Sequence, residues 1–225
     1  MGSKDKANAL IIQLNEDQRQ VSKFEQVNQY YILCKNNQDK FLILFAMKKL
    51  AMISGKTVIY ANDIIEAYRL KFFFNRFHMK AFVLSPELAQ QQTASIIHFF
   101  SIGQFDILIA LNDGYNEGQE PVLTDISYVV NFDVPNSYAS YKKTGSMVER
   151  SEGAIINLVS HDDKKEEMLG AFQKKMTKAF GKEDILKCIP IVWHEIVKMK
   201  GRVEHVLSTL SNKRVRDEKL LEFKK

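Results

Sequence analysis

Between Thr57 and Val159, short and almost uninterrupted apolar runs alternate with longer stretches of helical spacing, and that alternation leaves few ways to fold. The runs Thr57 to Ala61, Lys80 to Leu84, Phe105 to Ala110, Ser127 to Phe132 and Ala154 to Val159 are rich in β-branched and aromatic residues and bounded by turn formers. That is the signature of strands. Tyr30 to Cys34 reads as a sixth. Helical spacing marks Asp39 to Ile53, Asp63 to Phe77, Glu87 to Phe100 and a shorter stretch beginning near Asn136. A strand wetted on one face alternates apolar and polar residues, whereas strands this continuously apolar need cover on both faces. The expected fold is therefore α/β, a doubly wound parallel sheet flanked by helices. Ligands of such sheets gather beyond the carboxyl ends of the strands, here the segments after Ala61, Leu84, Ala110 and Phe132.

After Val159 the pattern changes to two helical stretches, Lys164 to Gly181 and roughly Ile191 to Phe223, with no clear strand. The second is interrupted at Gly201. Its stripe of Ile196, Met199, Val203, Val206, Leu207 and Leu210 is apolar, and Lys198, Lys200, Arg202, Lys213, Arg214 and Arg216 form a basic face. Such a face reads first as a solvated helix surface and second as a binding site. The stretch to Asn28 is polar and weakly periodic. The expected organisation is a flexible lead-in at 1–28, a sheet domain at 29–162 and a helical C-terminal extension at 163–225.

A chain of 225 residues supports one good core. With 45% apolar and 26% charged residues it has the balance of a soluble protein, and its longest apolar runs, such as Ile107 to Leu111, are far too short to span a bilayer. The first residues lack a secretory pattern and only Cys34 and Cys188 are cysteines, which points to a reducing, intracellular compartment. The five histidines form no ligand cluster in sequence, so no metal site is expected. The net charge of +5 suits a polyanionic partner without requiring one.

Ser54-Gly55-Lys56-Thr57 ends like the phosphate-binding loop G-x-x-x-x-G-K-[ST]. Two requirements fail. The first glycine of the pattern falls on Leu50, and the tripeptide follows a helix and opens a strand, the reverse of the order that aims a helix N-terminus at phosphate. An ordinary helix-to-strand turn is expected. No carboxylate run follows a strand to hold magnesium.

Read in order, Gly55-Lys56-Thr57-Val58-Ile59-Tyr60-Ala61-Asn62, Leu88-Ala89-Gln90, Phe100-Ser101-Ile102-Gly103-Gln104-Phe105-Asp106-Ile107-Leu108-Ile109-Ala110 and Val130-Asn131-Phe132-Asp133-Val134-Pro135 resemble the second RecA-like domain of DEAD-box RNA helicases. Asp39-Lys40-Phe41, and the helical end through Trp193, Gly201, Arg202 and Lys213-Arg214-Val215-Arg216, resemble the nucleolar subfamily acting in large ribosomal subunit assembly. The resemblance implies a RecA-like fold, a nuclear and nucleolar location, and RNA, in the form of rRNA or a pre-ribosome, as partner. In that family ATP binds between two RecA-like domains and RNA lies across both. The first domain brings the phosphate loop and the magnesium carboxylate. The residues before Tyr30 are too few for such a domain, so the chain is expected to hold no cofactor by itself, and ATP with Mg only where a first RecA-like domain is supplied.

Several positions depart from the family's pattern. Its Ala-Thr-Asp run stands here as Ala110-Leu111-Asn112, and its Ala-Arg-Gly-Ile-Asp run as Gly118-Gln119-Glu120-Pro121-Val122. The motif His-Arg-x-Gly-Arg-x-x-Arg falls on Lys143 to Arg150 and keeps only Arg150, with Thr144 and Met147 in place of two arginines. Gln90-Gln91-Gln92-Thr93 lacks the arginine of the family's Gln-x-x-Arg. Loss of one arginine finger removes on the order of 10³ in rate, so no catalytic residue is assigned.

What the resemblance leaves is a binding edge. Asn62, Gly103, Lys142, Lys143 and Arg150 are the candidate RNA contacts, and Asn112 with Arg150 the candidate edge of the nucleotide cleft. Some of these positions have a plainer alternative: Asn62, with Asp63, would also cap the next helix, and Gly103 would also end one; Trp193, for its part, reads as core before it reads as a base-stacking ring. The expected function is a degenerate helicase C-terminal domain that binds RNA or pre-ribosomal particles without hydrolysing ATP by itself. The alternatives are a fragment of an active ATP-dependent helicase, or a protein-interaction module working through its last helices without RNA.

Overall fold

A computed structural model describes residues 24–113, 115, 121–149, 152–160, 165–191 and 193–222. Seven strands form one parallel sheet: β1 (Asn28–Cys34), β2 (Thr57–Ala61), β3 (Ala81–Leu84), β4 (Ile107–Leu111), β5 (Tyr128–Asn131), β6 (Ala154–Ser160) and β7 (Leu186–Cys188). Their order is β3-β4-β2-β5-β6-β1-β7, every described pairing parallel. β2 and β6 are buried along their whole length, as continuous apolar runs require.

The helices are α1 (Asn37–Lys49), α2 (Ile64–Arg76), α3 (Gln90–Ser101), α4 (Tyr138–Gly145), α5 (Lys165–Phe180), α6 (Trp193–Thr209) and α7 (Asn212–Glu222). Polar side chains set three of their starts. Asn36 accepts from the Asp39 N–H at 3.0 Å, Asp63 from Ile65 and Glu66 at 2.8 and 3.0 Å, and Ser137 from Ser140 at 3.0 Å. One face of the sheet packs against α1 and α2, with Phe41, Phe73 and Phe132 in edge-on contact. The other packs against α3, α4 and α5 through Phe100, Tyr141, Phe172 and Met176. The doubly wound α/β architecture is as the alternation predicts.

Three features differ from the sequence reading. First, a strand does follow Val159: Leu186, Lys187 and Cys188 pair with Gln29, Tyr30 and Tyr31, which puts β7 at the sheet edge. Second, Gly201 does not interrupt its helix. It is exposed with open space around it, and α6 runs through it to Thr209; the break comes at Leu210 and Ser211. Third, the lead-in expected to residue 28 ends earlier, because Phe24 is fully buried against Tyr141 and Phe180.

The C-terminal helices complete one of the two layers. α6 lies across α1 and α7 across α2, and Val203, Leu210 and Val215 are buried in the same cluster as α1 and α2. Burying one such side chain is worth about 1.5–3 kcal/mol. This cover explains why Asp39 to Met47 of α1 are all buried, although a surface helix would keep a wet stripe.

One polar chain crosses the core. The Tyr141 hydroxyl donates to Gln29 Oε1 at 2.9 Å and accepts from Asn157 Nδ2 at 3.1 Å, and Asn131 Nδ2 donates to Asn157 Oδ1 at 2.8 Å. Burial pushes the Tyr141 hydroxyl well above its ordinary pKa, so it stays neutral and able to donate.

Candidate nucleic-acid interface

At the carboxyl ends of β2, β4 and β5 three chain segments are tied together by side-chain amides. The Asn62 N–H donates to Asp133 Oδ2 at 3.0 Å, and Asn62 Nδ2 to the Val134 carbonyl at 3.3 Å. Asn112 Nδ2 donates to both Asn62 Oδ1 at 2.7 Å and the Asp133 carbonyl at 3.0 Å. The Asp133 carboxylate also meets Lys40, whose Nζ lies 3.5 Å from Oδ1 and 5.5 Å over the Phe132 ring. Lys40 is only 1% exposed, a buried cation held from beneath the edge. Asn136 and Lys165 extend the network outward, with Asn136 Nδ2 donating to Asp113 and Lys165 Nζ to Asn136 Oδ1 at 2.9 Å.

Beside these amides is a cavity of about 270 Å³ between the end of β4 and α4, lined among others by Tyr60, Asn112, Tyr115, Lys143, Thr144 and Met147. Thr144 is buried and its hydroxyl donates to the Tyr141 carbonyl at 3.1 Å. The Met147 sulfur accepts from the Tyr60 hydroxyl at 3.2 Å. Among the described lining residues the charged groups are Asp113 and Lys143. Thr144 and Met147, at the two positions where the resemblance places arginines, thus offer the cavity a hydroxyl and a thioether, both engaged within the protein.

The predicted contacts fall into three groups. Asn62, Asn112 and Lys143 converge on the working edge, with Lys142 half-buried beside Lys143 in the last turn of α4. Gly103 does not join them. It follows the C-terminus of α3 at φ +75°, its N–H donates to the Phe100 carbonyl at 3.1 Å, and the chain then enters β4 from the amino end of the sheet. It is a helix-ending residue in the left-handed region, at the opposite end of the sheet from Asn62, Asn112 and Lys143. Arg150, Gly118 to Glu120 and the Trp193 side chain lie outside the described residues.

The phosphate-loop lookalike is a turn at the opposite end of the sheet. Lys56 Nζ donates to the Ser101 carbonyl at 2.9 Å and pairs with Asp125 at 3.1 Å, while Thr57 is fully buried. Sequence reasoning missed Lys40, Tyr60 and Tyr115 as parts of the edge. Lys40 stood inside a motif it had already matched, but nothing in the local sequence places an α1 lysine under the end of β5.

The seven-stranded parallel sheet with a helix layer on each face has the RecA-like fold. No family model matches the chain. Dbp5 of S. cerevisiae bound to RNA and ADP BeF3 superposes with a TM-score of 0.62 at 25% identity, over 80% of this chain and 46% of that one. The C-terminal domain of the DEAD-box protein Dbp5 by itself matches with a TM-score of 0.62 at 23% identity, over 79% of this chain and 98% of that one. The ATP-dependent RNA helicase DBP9 of Yarrowia lipolytica is 30% identical over 50% of this chain and 25% of its own length. The DEAD-box ATP-dependent RNA helicase 16 of Arabidopsis thaliana is 28% identical over 93% of this chain and 39% of its own length. The homologues are thus DEAD-box RNA helicases, and the described residues form a C-terminal RecA-like domain. The chain spans less than half the length of these curated relatives.

Proposed function

We propose that this domain binds single-stranded RNA, in rRNA or a pre-ribosomal particle, along the carboxyl edge of its sheet, and does not hydrolyse ATP by itself. The single observation that supports the reading is that Thr144 and Met147, where the resemblance places arginines, are engaged within the protein beside the linked amides of Asn62 and Asn112. The RNA partner is supported by the relatives, which are RNA helicases, and by the exposed cation Lys143 with Lys142 next to it. A nucleolar role in large-subunit assembly rests on the resemblance to the nucleolar subfamily, with DBP9 among the relatives. ATP and Mg enter only where a first RecA-like domain is supplied.

The test is fluorescence anisotropy with a labelled single-stranded RNA across a salt series. Each phosphate contact contributes a slope of about −0.7 in log K against log salt, so Lys142→Ala with Lys143→Ala should flatten it by about 1–1.4. An affinity indifferent to salt refutes the phosphate contacts and favours a protein-docking role. RNA-stimulated ATP turnover on adding a separate first-domain protein, lost in Arg150→Ala, refutes the inactive reading.

A further inference from the structure

The outer side of the sheet carries an apolar groove that the RNA reading does not use. β3 is the terminal strand, with α2 on one face and α3 on the other. Between them lies a cavity of about 360 Å³, lined among others by Tyr68 and Lys71 of α2, Phe82 of β3, and Gln91, Ile96 and Phe99 of α3. Two of its rings are open to solvent, Phe82 at 36% and Phe99 at 45% exposure. Of the 12 residues of α3 only Phe100 is buried, so this helix shows an aromatic side chain that ordinary packing would hide. A large apolar side chain exposed singly needs no explanation, whereas two that converge on one concave surface mark an interaction site.

Lys71 gives the groove its charge. Its Nζ lies 5.6 Å over the Phe82 ring and 5.7 Å over the Tyr68 ring, and no carboxylate lines the groove among the described residues. Lys80, exposed, stands immediately before β3, and the carboxylate of Glu87, one residue before the lining Leu88, is met by Lys219 at 2.6 Å. The local field is positive, and a ligand with carboxylates beside a large apolar side chain complements it. From Gln91 to Phe99 α3 rises about 12 Å, the span of about four residues of extended chain. Gln91 and Gln92, both exposed, stand along that wall with donors for a peptide main chain. A nucleic-acid strand would ask for a cation at each phosphate, and Lys71 is the one cation among the described lining residues.

We propose that this groove docks an extended acidic segment of a partner protein, with one large apolar side chain seated between Phe82 and Phe99 and a neighbouring carboxylate at Lys71. The groove shares no lining residue with the cavity at the strand ends, so the site goes beyond the RNA-binding reading and does not rest on it.

The experiment follows the fluorescence anisotropy of a labelled, capped pentapeptide, a central phenylalanine with two glutamates on each side, on the full chain. Control peptides carry alanine at the centre, or glutamine in place of the glutamates. Burial of the ring should make the first peptide bind at least about tenfold tighter than the alanine control, and its charge about two- to fivefold tighter than the glutamine control. Phe99→Gln, a change at an exposed position, should remove the advantage of the central phenylalanine and leave the binding of labelled single-stranded RNA as in the parent. Lys71→Glu should make a peptide with lysines in place of the glutamates the tighter ligand, a reversal that loss of the fold cannot produce. Absence of peptide binding up to about 1 mM, or binding that survives both Phe99→Gln and Lys71→Glu, overturns the proposal. So does loss of RNA binding in Phe99→Gln together with displacement of the peptide by a short oligouridylate, which would give the groove to nucleic acid. Salt-dependent RNA binding without peptide binding overturns the groove alone and leaves the RNA reading standing.

Discussion

Gly55→Ala is the substitution that best separates a structural turn from a phosphate loop. Gly55 sits at φ +77°, and a Cβ built there meets Ser127 Oγ at 2.8 Å. The left-handed backbone costs a side-chain-bearing residue about 1–2 kcal/mol, and forcing an extra carbon into a packed site about 1–3 kcal/mol. Together the loss is about 2–5 kcal/mol, which at about 2–4 °C per kcal/mol for a domain of this size lowers Tm by about 4–20 °C. The two parts can be told apart. Ser127 Oγ is buried without a partner among the described residues, and once it is gone the nearest atom is Ser127 Cβ at 3.6 Å, an ordinary contact. Ser127→Ala alone should then be neutral within about 0.5 kcal/mol, while Gly55→Ala with Ser127→Ala should recover about 1–3 kcal/mol and keep only the backbone strain. Urea unfolding of the four proteins in the cycle measures all of this. A Gly55→Ala protein within about 0.5 kcal/mol of the parent, or a double variant no more stable than Gly55→Ala, refutes the packing account.

Three further outcomes follow from the polar groups of the core and edge. Tyr141→Phe removes the hydroxyl between Gln29 and Asn157, and by leaving Gln29 Oε1 without it should cost about 1–3 kcal/mol in urea unfolding with RNA affinity unchanged. Lys40→Met keeps the length of the side chain but strips the charge from Asp133; because Asp133 is partly wetted, the expected cost is about 1–3 kcal/mol, below the 3–5 kcal/mol of a fully buried pair, with weaker RNA binding as Asn62 and Asn112 lose their anchor. The Tyr115 hydroxyl is raised from 10.0 to about 12 by burial, so the folded state holds its proton longer than the unfolded one. Its contribution is complete below about pH 10 and is lost as pH rises through about 12, and Tyr115→Phe should show a shallower alkaline fall in stability than the parent.

The sheet was legible because six strands carry enough β-branched and aromatic residues to stand out from the helices between them. β7 was not. Leu-Lys-Cys offers three residues with one buried side chain, and its place at the edge comes from pairing with Tyr30 and Tyr31 rather than from any pattern of its own. Gly201 misled for the opposite reason: a glycine in an exposed helix costs about 1 kcal/mol against alanine, which the packing of Val203 and Leu210 outweighs. Phe24 looked like part of a polar lead-in because its partners, Tyr141 and Phe180, are more than a hundred residues away. At the site, Asn62, Asn112 and Lys143 could be placed because strand ends in a parallel sheet share one edge. Gly103 could not, since a motif names a residue without saying at which end of its strand the chain turns. Partners such as Gln29, Tyr141 and Asn157 are invisible in sequence, where polar residues within strands carry no mark of what they face.

The C-terminal helices are tied to the binding edge by more than continuity of chain. α6 covers α1, and this lets α1 be buried around nearly its whole circumference, Lys40 included. A lysine is kept in such a place only where its charge is met, and here the Asp133 carboxylate and the Phe132 ring meet it. Asp133 in turn receives the Asn62 N–H through its carboxylate and the Asn112 side chain through its carbonyl. Stripping α6 from α1 would wet the outer side of α1 and lower the dielectric advantage that holds Lys40 to Asp133. The amides at the edge would then lose their fixed orientation. Paired substitutions on the α1-facing side of α6, such as Val203→Ala with Leu207→Ala, should therefore weaken RNA binding although neither residue lies at the edge, and should add nothing further in a Lys40→Met background. Equal losses of affinity in the two backgrounds would mean that α6 and the edge act independently.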